Sequence, residues 1–186
     1  TPRPNDSGSA AVVEDVTFTN NIVRHAAAGL IIQGQDSLYT TGPSERRGRS
    51  IRVVNNLFDD INGPAWGGDG CFVKVGGGAD NITIEHNTVL QTGNIAKSFG
   101  DPGVGFVFRN NIARHNEYGF FGDDAGYGNP ALNTYFPGAD FRGNAIVKEV
   151  NPPWNTELVY PLGNFFPSSL TSVGFVNLIG SNYILA

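Results

Sequence analysis

Short runs that alternate apolar and polar residues recur along this chain, each ending in an asparagine followed at once by a second apolar pair. The copies read VTFTNNIV (16–23), IRVVNNLF (51–58), ITIEHNTV (82–89), FVFRNNIA (106–113) and, less closely, DFRGNAIV (140–147). Their aligned asparagines, Asn21, Asn56, Asn87, Asn111 and Asn144, lie 35, 31, 24 and 33 residues apart. Before each asparagine, alternate residues face opposite ways: Val16 and Phe18 against Thr17 and Thr19, Ile82 and Ile84 against Thr83 and Glu85. That is the period of a half-buried strand. A unit of this length, repeated, marks a solenoid, in which each unit buries its apolar face only against its neighbours.

A third apolar run, often led by glycine, completes the unit, as in Gly29-Leu30-Ile31-Ile32, Gly70-Cys71-Phe72-Val73 and Gly119-Phe120-Phe121. Three strands in fixed order predict a triangular coil, with like strands stacked in parallel about 4.8 Å apart. At the corner, asparagine tolerates the left-handed backbone of a tight bend, and its amide can bond to copies above and below. The other two connections vary in length: 33–50, 59–69 and 122–139 are expanded, and insertions on a solenoid usually build its working face. Residues 10–13 are expected to be the third strand of an earlier coil, giving about five regular coils over 10–150. From 151 to 186 the pattern decays into a proline- and aromatic-rich covering segment, with one helical turn near 168–171. The whole chain reads as a single domain, 1–186.

The chain has 186 residues, 25 glycines and 11 prolines, too many breakers for a helical bundle and in keeping with a turn-rich all-β fold. A net charge of −5 argues against a nucleic-acid partner or a polybasic membrane surface. Membrane insertion is not expected, because no stretch approaches the roughly 20 apolar residues of a span. The cluster Arg46, Arg47, Arg49 and Arg52 reads as a solvated loop. Cys71 is the only cysteine, and its apolar setting predicts a buried, inert thiol.

The asparagine-corner repeat over 12–148 resembles the secreted right-handed parallel β-helix proteins, the broad group that contains pectate lyases and many uncharacterised bacterial surface proteins. The tail VGFVNLIGSNYILA (173–186) also looks like the end segment of bacterial members. The resemblance implies a right-handed winding and an extracellular or cell-surface location. Members are commonly longer, so it also implies that the chain is the C-terminal portion of a larger protein. In lyases of this fold the cleft follows the third strand and the connection before it. By coil position, the matching face here includes Arg24, His25, Trp66, Asp69, Arg114, His115 and Tyr118.

Two further signals bear on that face. NNIVRHAAAGLI (20–31) and NNIARHNEYGFF (110–121) each place an Arg-His pair after the second strand, three coils or about 14 Å apart. These side chains either cap backbone carbonyls at the strand end or border a groove for an anionic or neutral glycan. In WGGDG (66–70) tryptophan offers a stacking face, and the glycines allow close backbone approach. A lyase of this group would need calcium on clustered acids. Asp59 with Asp60, Asp69, and Asp123 with Asp124 are the candidates, and no run matches the family's calcium pattern. No cofactor is expected, with calcium the one alternative. A hydrolase would need two carboxylates across a groove, with Asp69 and Glu117 on plausible neighbouring connections. The expected role is a carbohydrate-interacting β-helix segment without its own catalysis, its partner a polysaccharide. The alternatives are a polysaccharide lyase or glycoside hydrolase, and a purely structural module that self-associates end to end.

Overall fold

The computed structural model describes residues 12–35, 47–149 and 156–186. The chain runs through β1 (Glu14–Thr19), β2 (Ile22–Ala26) and β3 (Leu30–Gln33). It then repeats the three steps as β4 (Arg49–Val54), β5 (Leu57–Ile61) and β6 (Val73–Gly76), with a short helix α1 (Gly63–Trp66) before β6. A third round is β7 (Asp80–Glu85), β8 (Thr88–Gln91) and β9 (Ala96–Phe99); a fourth is β10 (Val107–Arg109), β11 (Ile112–Arg114) and β12 (Phe120–Gly122). Strand β13 (Gly126–Tyr127) and helix α2 (Asn129–Tyr135) interrupt before β14 (Asp140–Arg142) and β15 (Ala145–Val147), and the chain closes with β16 (Phe175–Asn177) and β17 (Asn182–Leu185). First, second and third strands each collect into their own sheet: β1-β4-β7-β10-β14, β2-β5-β8-β11-β15 and β3-β6-β9-β12-β13. The first two sheets are parallel throughout, and the third is parallel except for β13, which folds back antiparallel on β12. Three stacked parallel sheets visited in turn are compatible with a parallel β-helix.

Register holds the apolar positions in rows. Phe18, Val53, Ile84, Phe108 and Phe141 align in the first sheet, and Val23, Phe58, Val89, Ala113 and Ile146 in the second. Except at the first coil these side chains are buried, and with Phe72, Phe106, Phe120 and Phe136 they fill one continuous core. At the first coil Val16, Phe18, Val23, Ala26 and Leu30 are only partly buried, because no earlier coil covers them among the described residues. Ala10 and Ala11, half of the expected earlier strand, lie outside the described residues, while Val12 and Val13 belong to no strand.

The asparagine ladder is continuous, and its division of labour differs from expectation. The left-handed residue is the one before each ladder asparagine: Asn20, Asn55, His86 and Asn110 at φ 55–57°, and Gly143 at 68°. That residue makes the bend, which frees the ladder asparagine to turn its amide inward. Each Oδ1 from Asn56 onward accepts both the backbone N–H and the Nδ2 of the rung before it, at 2.9–3.2 Å. Each Nδ2 from Asn56 onward also donates to a strand carbonyl of the preceding coil, Phe18, Val53, Ile84 and Phe108 in turn. The amide thus satisfies backbone groups that the corner would otherwise strand in the interior.

The segment read as irregular covering carries a sixth rung. Asn164 Oδ1 accepts from Asn144 N and Nδ2 at 3.0 and 2.9 Å, Asn164 Nδ2 donates to Phe141 O, and Phe165 bridges Ala145 in parallel. Val159, Tyr160 and Phe166 from the same stretch pack against the core, and the expected helical turn appears as a 3-10 turn at Thr171–Val173. The 122–139 connection is not a plain loop: it forms β13 and α2, whose Ala131, Leu132 and Tyr135 are buried against the core.

The outer face of the second sheet is covered too. Leu90, Val147 and Leu170 form a separate apolar cluster with Ile112, Phe175 and Tyr183, so the C-terminal hairpin lies over that sheet. Arg46 lies outside the described residues. The other basic residues of its cluster each carry an ion pair, Arg47 with Asp101, Arg49 with Glu14 and Arg52 with Glu85, and Arg49 and Arg52 stand on β4 rather than in a loop. Cys71 is buried, its Sγ donates to the Val73 carbonyl at 3.3 Å, and burial pushes the thiol up to about 12.

Candidate functional site

The chemistry-bearing side chains gather where β2 and β5 leave the second sheet. Register pairs Arg24 with Asp59, and one step on, His25 and Asp60 are both left-handed, φ 55° and 56°. These left-handed residues, stacked in adjacent coils, turn the chain out of the second sheet as Asn20 and Asn55 turn it at the asparagine corner. Helix α1 follows: Asn62 caps it by accepting from Ala65 N at 3.1 Å, Pro64 starts its first turn, and Gly67 ends it at φ 77°. This single turn delivers Trp66 beside the two left-handed residues.

Asp60 is the hub. Its Oδ2 accepts from Trp66 Nε1 at 3.0 Å and meets His25 Nδ1 at 2.8 Å, while its Oδ1 accepts from Asn62 Nδ2 at 3.2 Å. Hydrogen bonds from His25 first and Trp66 second hold its carboxyl below the usual range. The imidazole and indole rings are 5.5 Å apart and tilted by 55°, and Trp66 stays 47% exposed. Asp59 faces the other way: Oδ2 accepts from Arg24 Nε at 3.1 Å and Oδ1 from Tyr183 Oη at 3.0 Å. Tyr183 also lines a groove of about 320 Å³ between the C-terminal hairpin and the asparagine corner, with Asn55, His86, Thr88 and Asn182.

The glycines of 66–70 serve the protein's own packing. A Cβ at Gly68 would stand 2.7 Å from the Ala27 carbonyl oxygen and Cβ, and Gly70 N donates to that carbonyl at 2.8 Å. They bring the connection down onto the preceding coil and so fix the base on which Trp66 stands.

The other expected residues lie elsewhere. Asp69 is paired with Lys74 Nζ at 2.6 Å and accepts from Cys71 N, on the side of the third sheet. Lys74 and Lys97 are in register there, and Lys97 pairs with Asp123 at 3.2 Å. Arg114 pairs with Glu149 at 3.0 Å, the counterpart of the Arg24–Asp59 pair three strands away. Tyr118 packs its ring 5.4 Å from Phe121 and bonds Glu117, which raises its hydroxyl. The two Arg-His words therefore diverge at histidine. His25 is exposed, whereas His115 is fully buried, with Nδ1 donating to the Asn116 carbonyl at 3.0 Å and its ring edge-on to Tyr160 at 5.7 Å. Among the described residues no group of three or more His, Cys, Asp or Glu is placed to hold a metal ion, and no helix is long and apolar enough to cross a membrane.

Burial pushes the His115 imidazole down from its ordinary value of 6.5. Below pH 6.5 the unfolded chain takes up a proton that the folded chain refuses, so stability falls as pH drops from about 6.5, by at most ~1.4 kcal/mol per pH unit. Asp60 and Asp69, held below 3.8, contribute stability that is lost only at lower pH. Urea titrations across pH 7 to 4.5 are expected to show this slope in the native chain and a flatter one in His115→Gln. An equal slope in both would assign it to other groups.

Compared with known protein families, with characterised proteins and with solved structures, the chain matches none.

Proposed function

We propose that this chain is a carbohydrate-interacting segment of a secreted or cell-surface right-handed parallel β-helix protein, and that Trp66 with Asp60 and His25 forms its glycan contact. The observation that carries the reading is the half-exposed indole fixed by a hydrogen bond to Asp60 on a rigid turn. An aromatic face beside an oriented carboxylate suits a sugar ring, which offers C–H groups to the one and hydroxyls to the other. The indole's orientation is set before ligand arrives, which lowers the entropy lost on binding. Asp60 is engaged at both oxygens and depressed, a state that favours accepting hydrogen bonds over taking up protons near neutrality. Binding is accordingly preferred to catalysis here. The right-handed winding and extracellular setting rest on the resemblance of the asparagine-corner repeat.

The test is titration with polygalacturonate, alginate and neutral glucans, with and without calcium, by calorimetry and tryptophan fluorescence. Binding is expected to at least one of them, weakened about five- to tenfold in Trp66→Ala, roughly 1–1.4 kcal/mol. Ultraviolet absorbance of unsaturated sugars, or new reducing ends, would replace this reading with a lyase or hydrolase. Binding that ignores Trp66→Ala would move the contact off this cluster.

A further inference from the structure

The asparagine ladder has a direction, and its two ends are unlike. At every internal rung the Oδ1 accepts from the rung before it, and the N–H and Nδ2 donate to the rung after it. Asn21, the first rung, donates in this way to Asn56 Oδ1, while its own Oδ1 has no donor among the described residues. Asn164, the last rung, accepts from Asn144 and sends Nδ2 to the Phe141 and Pro161 carbonyls, while its backbone N–H has no acceptor among the described residues. One end thus offers an acceptor and the other a donor, with the spacing of the same ladder.

Apolar surface follows the same axis. Ile22, Leu57, Thr88, Ile112 and Ala145 form one row on the outside of the second sheet, and Phe165 extends it beyond Ala145. The two terminal members are exposed, Ile22 at 63% and Phe165 at 65%. In each coil the residue after the corner donates its N–H to the preceding rung's carbonyl, as Leu57 does to Asn21, Thr88 to Asn56 and Phe165 to Asn144. The segment sealing the last coil also exposes Leu158 and Leu162, 76% and 96%. At the opposite end Val16, Phe18, Val23 and Leu30 are the partly exposed members of otherwise buried rows.

We propose that these ends are mutually complementary and that a second copy of this chain docks head to tail, the Asn164 corner of one on the Asn21 corner of the next. Asn164 N–H then meets Asn21 Oδ1, Ile22 N–H meets the Asn164 carbonyl, and Phe165 continues its row onto Ile22. The contact is heterologous, so each copy keeps one free end of each kind and association continues along the axis. Unpaired strand edges supply the backbone partners.

Sedimentation velocity over a range of concentrations tests this without any glycan. The native chain is expected to sediment faster as concentration rises. Ile22→Lys and Phe165→Lys, each at an exposed position, are each expected to sediment as monomers. Mixed in equal amounts, they are expected to form a dimer and nothing larger, since Ile22→Lys retains a sound Asn164 end and Phe165→Lys a sound Asn21 end. Ile22→Thr and Phe165→Thr keep strand propensity and carry the same expectation if a lysine variant loses its far-ultraviolet spectrum. A native chain that stays monomeric, a Phe165 variant that still associates, or a mixture that gives no dimer overturns the proposal.

Discussion

Replacing Asn87 with alanine is expected to remove roughly 4 kcal/mol of stability, measured by urea denaturation at neutral pH. Five polar contacts end on this one side chain: two into Oδ1 from Asn56, and three that share the two Nδ2 hydrogens, to Val53 O, Glu85 O and Asn111 Oδ1. Asn87 is 1% exposed, so water cannot replace them. A net value of about 1 kcal/mol per bond, with added cost for buried groups left unpaired, sets the figure. Against a typical total of about 5–15 kcal/mol, this leaves little margin. Asn21→Ala provides the contrast. It removes only the side-chain bonds to Thr19 O and Asn56 Oδ1 at the partly exposed end, and should cost about 1 kcal/mol or less. Equal losses at the two rungs would mean that the ladder holds the corner by packing, not by hydrogen bonding.

The ladder was legible in the sequence because the corner needs a short side chain with a carbonyl acceptor and two N–H donors, which among short side chains only asparagine carries. Which asparagine does what was less legible. The paired asparagines at 20–21, 55–56 and 110–111 share two tasks, and His86 and Gly143 in the preceding position belong to the set that tolerates positive φ. The same signature, glycine then asparagine then an apolar pair, stands at 163–166. It is hard to see because the coil before it is only 20 residues long and lies among prolines.

The site was half legible for a related reason. His25 and Trp66 do come together, because strand register and one short connection bring both to Asp60, while Arg24 is held on the other side by Asp59. Asp60, the residue that organises them, reads in sequence as an ordinary turn acid. Tyr183 reaches Asp59 from 124 residues away, a contact no local pattern encodes. His25 and His115 sit in nearly identical words and end in opposite surroundings. In the first coil the left-handed turn falls on the histidine; in the fourth it falls on Asn116, at φ 54°. His115 then turns inward against Tyr160, which belongs to a segment 45 residues further on.

Phe120→Ala is expected to cost about 3–5 kcal/mol, the range for emptying a fully buried aromatic position. Phe120 is 0% exposed, and its ring meets four others, Phe106, Phe108, Phe136 and Phe141, at centroid distances of 5.9, 6.4, 5.9 and 5.7 Å. Three of the four contacts are close to perpendicular, at 81–89°, the favourable edge-to-face arrangement. Collapse into the void is resisted because the neighbouring rings sit on β10 and the residue before it, on β14 and on the stretch between α2 and β14, each pinned by its own backbone bonds. The loss should also reach the cap: Phe120 N donates to Tyr160 Oη at 2.9 Å, so amides around Tyr160 are expected to exchange faster than those near β4 and β5. Phe18→Ala, at the partly exposed first coil, should cost about 1–2 kcal/mol. Similar losses in the two variants, or faster exchange spread evenly over all coils, would mean that the aromatic column yields as one soft body. Local exchange centred on Tyr160 would mean that the coils are coupled mainly to their nearest neighbours, as stacked repeats require.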